Sequence, residues 1–280
     1  MLFSLCWILL LSVLGTLTAE NAGTKVVIRN TFGGQSSDNT TYWTADRRRT
    51  EFRHAVQRTK EDGSVEWVDE VASFFIVRCD LGQSFTLKMK AEEYSVAEYP
   101  PKRLTPEEMA ARGMNTPVAP QPTQPTLGIE IATVDTGERE KMFGHVARHV
   151  ITTTRQIPLE GSHTQAQETV RDGWYIDVDR RISCDPKPPA GSGSGFMAIS
   201  AAAVGGKEIM MERPEFVDIG ARETGFPVKE VRTTTGETVP ATGARRYSDS
   251  INESEVTQFE AMPLDSALFE VPPGFKHVER

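Results

Sequence analysis

Two histidines four residues apart, His145 and His149 in "GHVARHVITTT", are the residues whose type and spacing most resemble a chemical site. On a helix, an i,i+4 spacing puts both imidazoles on one face, as zinc sites require. Here a glycine precedes the segment and β-branched residues follow, so it reads as a strand. On a strand the two rings share a face but stand about 13 Å apart at ~3.3 Å per residue, too far to share a metal. Other letters also fall short of chemistry. "GSGSG" (191–195) imitates a serine elbow, yet it follows prolines rather than a strand and reads as a linker. Gly33-Gly34 lacks the lysine and the strand–helix setting of a phosphate loop. Asp172, Asp177 and Asp179 flank "GWYI" as strand-face and turn carboxylates. No catalytic constellation is recognisable, and the expectation is a non-enzymatic protein without metal or cofactor.

Charge narrows the partners. Thirty-nine acidic against 31 basic residues give a net charge of −8. That disfavours nucleic acid or an anionic membrane surface as the main partner. Arg47, Arg48 and Arg49 form the one basic cluster. Strand alternation sends Arg47 and Arg49 to one face and Arg48 to the other. Their reading is a solvated edge that discourages strand-to-strand aggregation, with a grip on an acidic partner as the alternative.

The first nineteen residues are nearly all apolar and carry no charged side chain; Glu20 is the first. The run is short for a bilayer span, which needs about 20 residues, and Leu17 and Ala19 occupy the −3 and −1 positions of a cleavage site. Residues 1–19 therefore read as a secretory signal peptide, with an uncleaved anchor as the alternative. The expected location is the periplasm or the extracellular space. Beyond the leader remain Cys79 and Cys184, an even count in an oxidising compartment. They either form a disulfide or stay as two buried thiols. Neither sits in a CxxC or beside a suitably spaced histidine, which argues against a metal site.

The elements that would position these residues are mostly strands. "KVVIRNTF" (25–32) and "TTYWTADRRRTEFRHA" (40–55) are rich in β-branched and aromatic residues. Residues 72–99 read as three consecutive strands, with turns at Asp80–Gln83 and Glu92-Glu93. In "SFTLKM", Phe85, Leu87 and Met89 fall on one face and Thr86 and Lys88 on the other, the period-two signature of a sheet with one wet face. "LTPEEMAARG" (104–113) predicts a short helix: Thr105 caps it, Pro106 fits its first position and Gly113 ends it. The proline-rich stretch 114–126 reads as an extended strap or linker. Strands resume over 127–137, 144–158 and 166–184. A second insert, 186–206, contains the apolar run "FMAISAAAV" (196–204), whose alanine density predicts a helix. That helix is either a short core element or a lid hinged on flanking glycines. The segment 226–275 returns to strands. A single domain over 20–280, mainly β, with an antiparallel sheet and two helical segments, is the economical solution.

The final part carries a family pattern. "GFPVKEV…PLDSALFEVPPGF" resembles the C-terminal half of the LolA/LolB-like lipoprotein-carrier fold and related exported bacterial proteins of unknown function. The matching positions are Gly225, Pro227 and Val228; then Leu264, Leu268 and Phe269; then Pro273, Gly274 and Phe275. "DRRRTEF", "FIVRCDLGQSFTLKMKAEEY" and "GHVARHVIT" match more loosely, and the two inserts depart from the compact carrier. The resemblance implies an incomplete, strongly curved antiparallel β-barrel around one or two covering helices, with an apolar concave face. The expected function is binding of a lipid, another apolar ligand or a lipoprotein on that face. Phe85, Leu87 and Met89 would line it, and Phe196, Met197 and Ile199 would cover it. The alternative is a structural or protein-interaction component of the cell envelope, its sheet plugged by its own side chains.

Overall fold

The computed structural model describes residues 22–102, 122–186, 200–202, 209–238 and 246–279. Residues 1–19, expected to be a signal peptide, the helix expected over 104–113, most of the proline-rich stretch and Phe196, Met197 and Ile199 lie outside them. Fourteen strands fall in chain order as β1 (Ala22–Phe32), β2 (Gln35–Trp43), β3 (Arg47–Thr59), β4 (Val65–Arg78), β5 (Gln83–Lys88), β6 (Glu93–Glu98), β7 (Leu127–Met142), β8 (His145–Pro158), β9 (Gln167–Ile176), β10 (Ser200–Ala202), β11 (Ile209–Met211), β12 (Pro214–Ile219), β13 (Phe226–Thr238) and β14 (Arg246–Pro263). A 3-10 turn (Ser266–Phe269) and a two-residue strand, β15 (Lys276–His277), follow.

Thirteen strands form one sheet in the order β12-β7-β8-β9-β13-β14-β1-β2-β3-β4-β5-β6-β15. Pairing is antiparallel except at the two edges, where β12 lies parallel to β7 and β15 parallel to β6. Edges remain, so the sheet is not a closed barrel. It is nonetheless strongly curved. β8 and β14 are three strand spacings apart, about 14 Å on a flat sheet at ~4.8 Å each, yet the rings of His145 and Phe259 meet with centroids 5.8 Å apart. The two faces therefore differ: one looks into the curl and the other away from it.

Local sequence explains much of this. Gly33 and Gly34, at φ +57° and +79°, supply the two left-handed positions of the β1–β2 hairpin. The apolar run "FFIV" in β4 is buried on both sides, which removes any need for polar alternation. Phe75, Val77 and Cys79 face the inner cluster, while Phe74 and Ile76 face an outer one. The expected covering helices are not seen: among the described residues the structure has no α-helix. The run 196–204 is in part strand, since Ser200–Ala202 pairs with Ile209–Met211. Alanine propensity is a weak prior, and strand pairing satisfies the backbone of so apolar a stretch equally well. The chain end also differs from the extended strand expected there. Asp265 caps the 3-10 turn by accepting from the Ala267 N–H at 2.9 Å.

A buried carboxylate ties the edge of the sheet together. Glu212 is 3% exposed. It accepts from the hydroxyls of Thr126 and Ser162 and from the N–H groups of His163 (2.6 Å) and Thr164 (3.1 Å). Burial pushes its pKa up, but these donors outweigh burial and hold it below the ordinary glutamate value. A lowered folded pKa stabilises the fold above the unfolded value, and that stability is lost as pH falls through the folded one. Glu212→Gln should therefore lower the denaturation midpoint at pH 7 by about 1–3 kcal/mol equivalent and flatten the acid limb. A pH series of urea midpoints on both proteins checks this.

Candidate functional site

The structure separates the residues that the sequence groups as ligand-binding. Leu87 is fully buried on the outer face of β5, with Phe85 and Met89 partly buried beside it. What covers them is the chain's own tail: Leu264 and Phe269 complete the cluster, with Leu268, Val271 and Phe275 packed against it. Two arginines grip that tail. Arg49 donates to the Leu268 carbonyl at 3.0 Å, pairs with Glu51 at 2.9 Å and lies 3.8 Å over the Phe74 ring. Arg78 pairs with Glu270 and donates to Asp80 at 2.8 Å. That hydrogen bond holds the Asp80 carboxyl below its usual value. Alternation correctly puts Phe85, Leu87 and Met89 on one face. Period two does not say which face looks inward, and theirs is the outer one, sealed while the tail is docked.

The inner face holds a different constellation. Val26, Trp43, Val77, Ala147, Ile176, Ile182, Phe226, Val228 and Val256 form its buried core. Phe259, only partly buried, stands at the centre of an aromatic group. Phe143, Phe226 and Trp43 surround it at centroid distances of 6.1, 6.1 and 6.3 Å, together with His145. Phe143 is 39% exposed and sits at φ +50° in the two-residue turn between β7 and β8, followed by Gly144 at φ +81°. A left-handed phenylalanine is uncommon and costs of order 1 kcal/mol or more. The strain places an apolar ring at the open rim of the cluster. Phe143→Asn should relieve it: a Tm equal to or slightly above wild type, with weaker binding of an apolar probe, is the expected pair of results.

The loop after β9 crosses to the far strands and caps this cluster. Its anchor is the Cys79–Cys184 disulfide, with Cα atoms 5.4 Å apart, so the two thiols that the sequence leaves open are paired. Ser183 N–H donates to the Ala45 carbonyl at 2.8 Å. Arg48 donates to both oxygens of Asp185 at 2.8 and 3.0 Å, and the Tyr99 hydroxyl donates to the same carboxylate at 2.7 Å. Burial pushes Asp185 up, but these donors bring it below the ordinary value. The basic cluster is thus divided as alternation predicts, with Arg48 inward and Arg49 outward. Its members pair with carboxylates of this chain, since Arg47 reaches Asp80 at 3.3 Å. Sequence reasoning missed Phe259, Phe143 and Arg180, which sits over the Phe226 ring at 5.2 Å. Only the left-handed Phe143-Gly144 turn had a local signal, an X-Gly pair between β-branched strands.

The two histidines have separate surroundings. His145 stands edge-on to Phe259, whereas His149 stacks on Trp174 at 5.0 Å, with Nε2 2.7 Å from Asp172 and Nδ1 3.1 Å from the Thr136 hydroxyl. Asp177 pairs with Arg148 and Asp179 with Arg181, both at 2.7 Å. Among the described residues no three His, Cys, Asp or Glu side chains converge as metal ligands. A shallow depression of about 310 Å³, lined by Arg155, Ile157, Glu168 and Gly236, lies at the other end of β8.

No family model matches the chain, and no curated protein does. Among solved structures, a DUF1329 family protein from Desulfovibrio piger is 11% identical, with 90% of each chain covered and a TM-score of 0.17. A likeness of that size carries no argument about fold or role.

Proposed function

We propose that this chain is an exported, non-enzymatic binding protein that takes an apolar ligand, a lipid or acyl chain, against the inner face of its curved sheet. The observation that carries this reading is the partly open aromatic group around Phe259, with Phe143 held at its rim by a left-handed backbone. A concave, largely apolar surface with few polar fixtures is the usual form of a small-ligand site. The resemblance of residues 225–279 to lipoprotein carriers points the same way. The disulfide suits an oxidising compartment. The ligand site thus moves from Phe85, Leu87 and Met89 to the opposite face. Native mass spectrometry of protein purified without detergent should show a retained lipid, and a fatty acid should displace a polarity-sensitive dye. Phe259→Ala should weaken dye binding about tenfold. Binding of neither lipid nor dye by the intact protein would reject the reading.

The second reading, an envelope protein that recognises other proteins, rests on the outer face, which is filled by the chain's own tail at Leu87 and Phe269. It predicts no apolar-probe binding and capture of a protein partner instead.

A further inference from the structure

Among the described residues, Arg180 is a cation with no ion pair. The arginines around it are matched: Arg48 of β3 is held by Asp185, and Arg181 of the loop by Asp179. Arg180 itself makes no hydrogen bond or ion pair to any described residue and is exposed to solvent. It lies over the face of Phe226, with the guanidinium carbon 5.2 Å from the ring centroid. Phe226 in turn lies 6.1 Å from Phe259, in the apolar group described above. Burial first, and then repulsion from Arg48, hold the Arg180 guanidinium below its ordinary pKa, while attraction to Asp185 opposes them. Two guanidinium groups therefore share one carboxylate at the edge of an apolar floor. This local excess of positive charge occurs in a protein whose net charge is −8. A guanidinium over an aromatic ring keeps its planar fork of donors available for a carboxylate or phosphate.

We infer that Arg180 is the anchor for the anionic head of an amphiphile whose apolar chain lies against the partly exposed Phe259 and Phe143 rings, beside the buried Phe226. This rests on the apolar-ligand reading and specifies it. The ligand class is a long-chain molecule ending in carboxylate or phosphate, not a neutral lipid. The head meets Arg180 at the rim, where water still reaches it, so the ion need not be fully desolvated. The tail replaces solvent over the aromatic group. The disulfide and the Arg48–Asp185 pair fix the loop, and with it the position of the cation.

The test is competition against a bound polarity-sensitive dye by hexadecanoate, hexadecyl phosphate and hexadecanol, all below their aggregation limits. The intact protein should take the two anions about tenfold more tightly than the alcohol, and the ratio of carboxylate to phosphate identifies the preferred head. Arg180→Gln should remove the preference while leaving hexadecanol binding unchanged. Arg180→Lys should restore part of it. Because Arg180 is exposed, an unchanged Tm and near-UV spectrum accompany the expected result. Equal affinity for anions and alcohol, or a preference that survives Arg180→Gln, would overturn the assignment of Arg180 and leave the apolar site standing. Failure of all three probes to compete would overturn the apolar-ligand reading and the headgroup with it.

Discussion

Replacing both Cys79 and Cys184 by serine should lower the unfolding free energy by about 3–5 kcal/mol. The bond closes a loop of 105 residues, and the chain-entropy argument gives about 4.7 kcal/mol for a loop near that length. Residual structure in the unfolded chain draws measured values down from that figure. The effect is not confined to entropy. The loop that Cys184 anchors also brings Ile182 into the inner core and Asp185 to Arg48 and Tyr99. Without the bond those contacts must hold the loop alone. Urea denaturation of the wild type in dithiothreitol should reproduce the double-serine midpoint. A reduced protein as stable as the oxidised one would mean that the Arg48–Asp185–Tyr99 contacts suffice. Reduction should also weaken binding of anionic amphiphiles more than it shifts the far-UV spectrum, because it releases the segment that carries Arg180.

The strands were largely legible because their signals are local. The turns read at Asp80–Gln83 and Glu92-Glu93 fall within a few residues of the observed breaks after Arg78 and Lys88. The long final strands β13 and β14 likewise follow the alternating pattern of 226–263. What is illegible is whatever depends on curvature. Phe85 and Leu87 share a face by alternation alone, but only the bend of the sheet decides that Phe259 lies inside the curl and Leu87 outside it. The helix expected around Ser200–Ala202 failed for a related reason. Its composition is apolar enough for either state, and pairing with Ile209–Met211 decides between them. Arg180 could not be singled out in a stretch that reads as strand to 184, whereas β9 ends at Ile176, and its lack of an ion pair among the described residues is set by the fold.

Truncation immediately before Leu268 should unfold the protein or cost more than about 5 kcal/mol, the second large effect. It removes Phe269, which is 2% exposed, together with Leu268, Val271 and Phe275. Fully burying one such side chain is worth about 1.5–3 kcal/mol. It also uncovers Leu87, Phe74 and Ile76, leaves Arg49 beneath the tail without the Leu268 carbonyl, and leaves Arg78 without Glu270. Arg49 keeps Glu51 and Arg78 keeps Asp80, so the loss there is of hydrogen bonds to the tail rather than of all charge pairing. A shorter deletion, Val278–Arg280, removes one main-chain bond, Val278 N–H to the Tyr94 carbonyl at 2.8 Å, and should cost about 1 kcal/mol. Stacking of His277 on Tyr94 survives it. Phe269→Ala, which keeps the chain length, should fall between the two at about 3–5 kcal/mol. Midpoints from thermal and urea unfolding of the three variants give the order directly. A tail that merely decorates the sheet predicts three equal midpoints. If instead the long truncation folds and binds more dye than wild type, the new sites must lie on the outer face that Leu87 lines, because the inner aromatic group is untouched by the deletion.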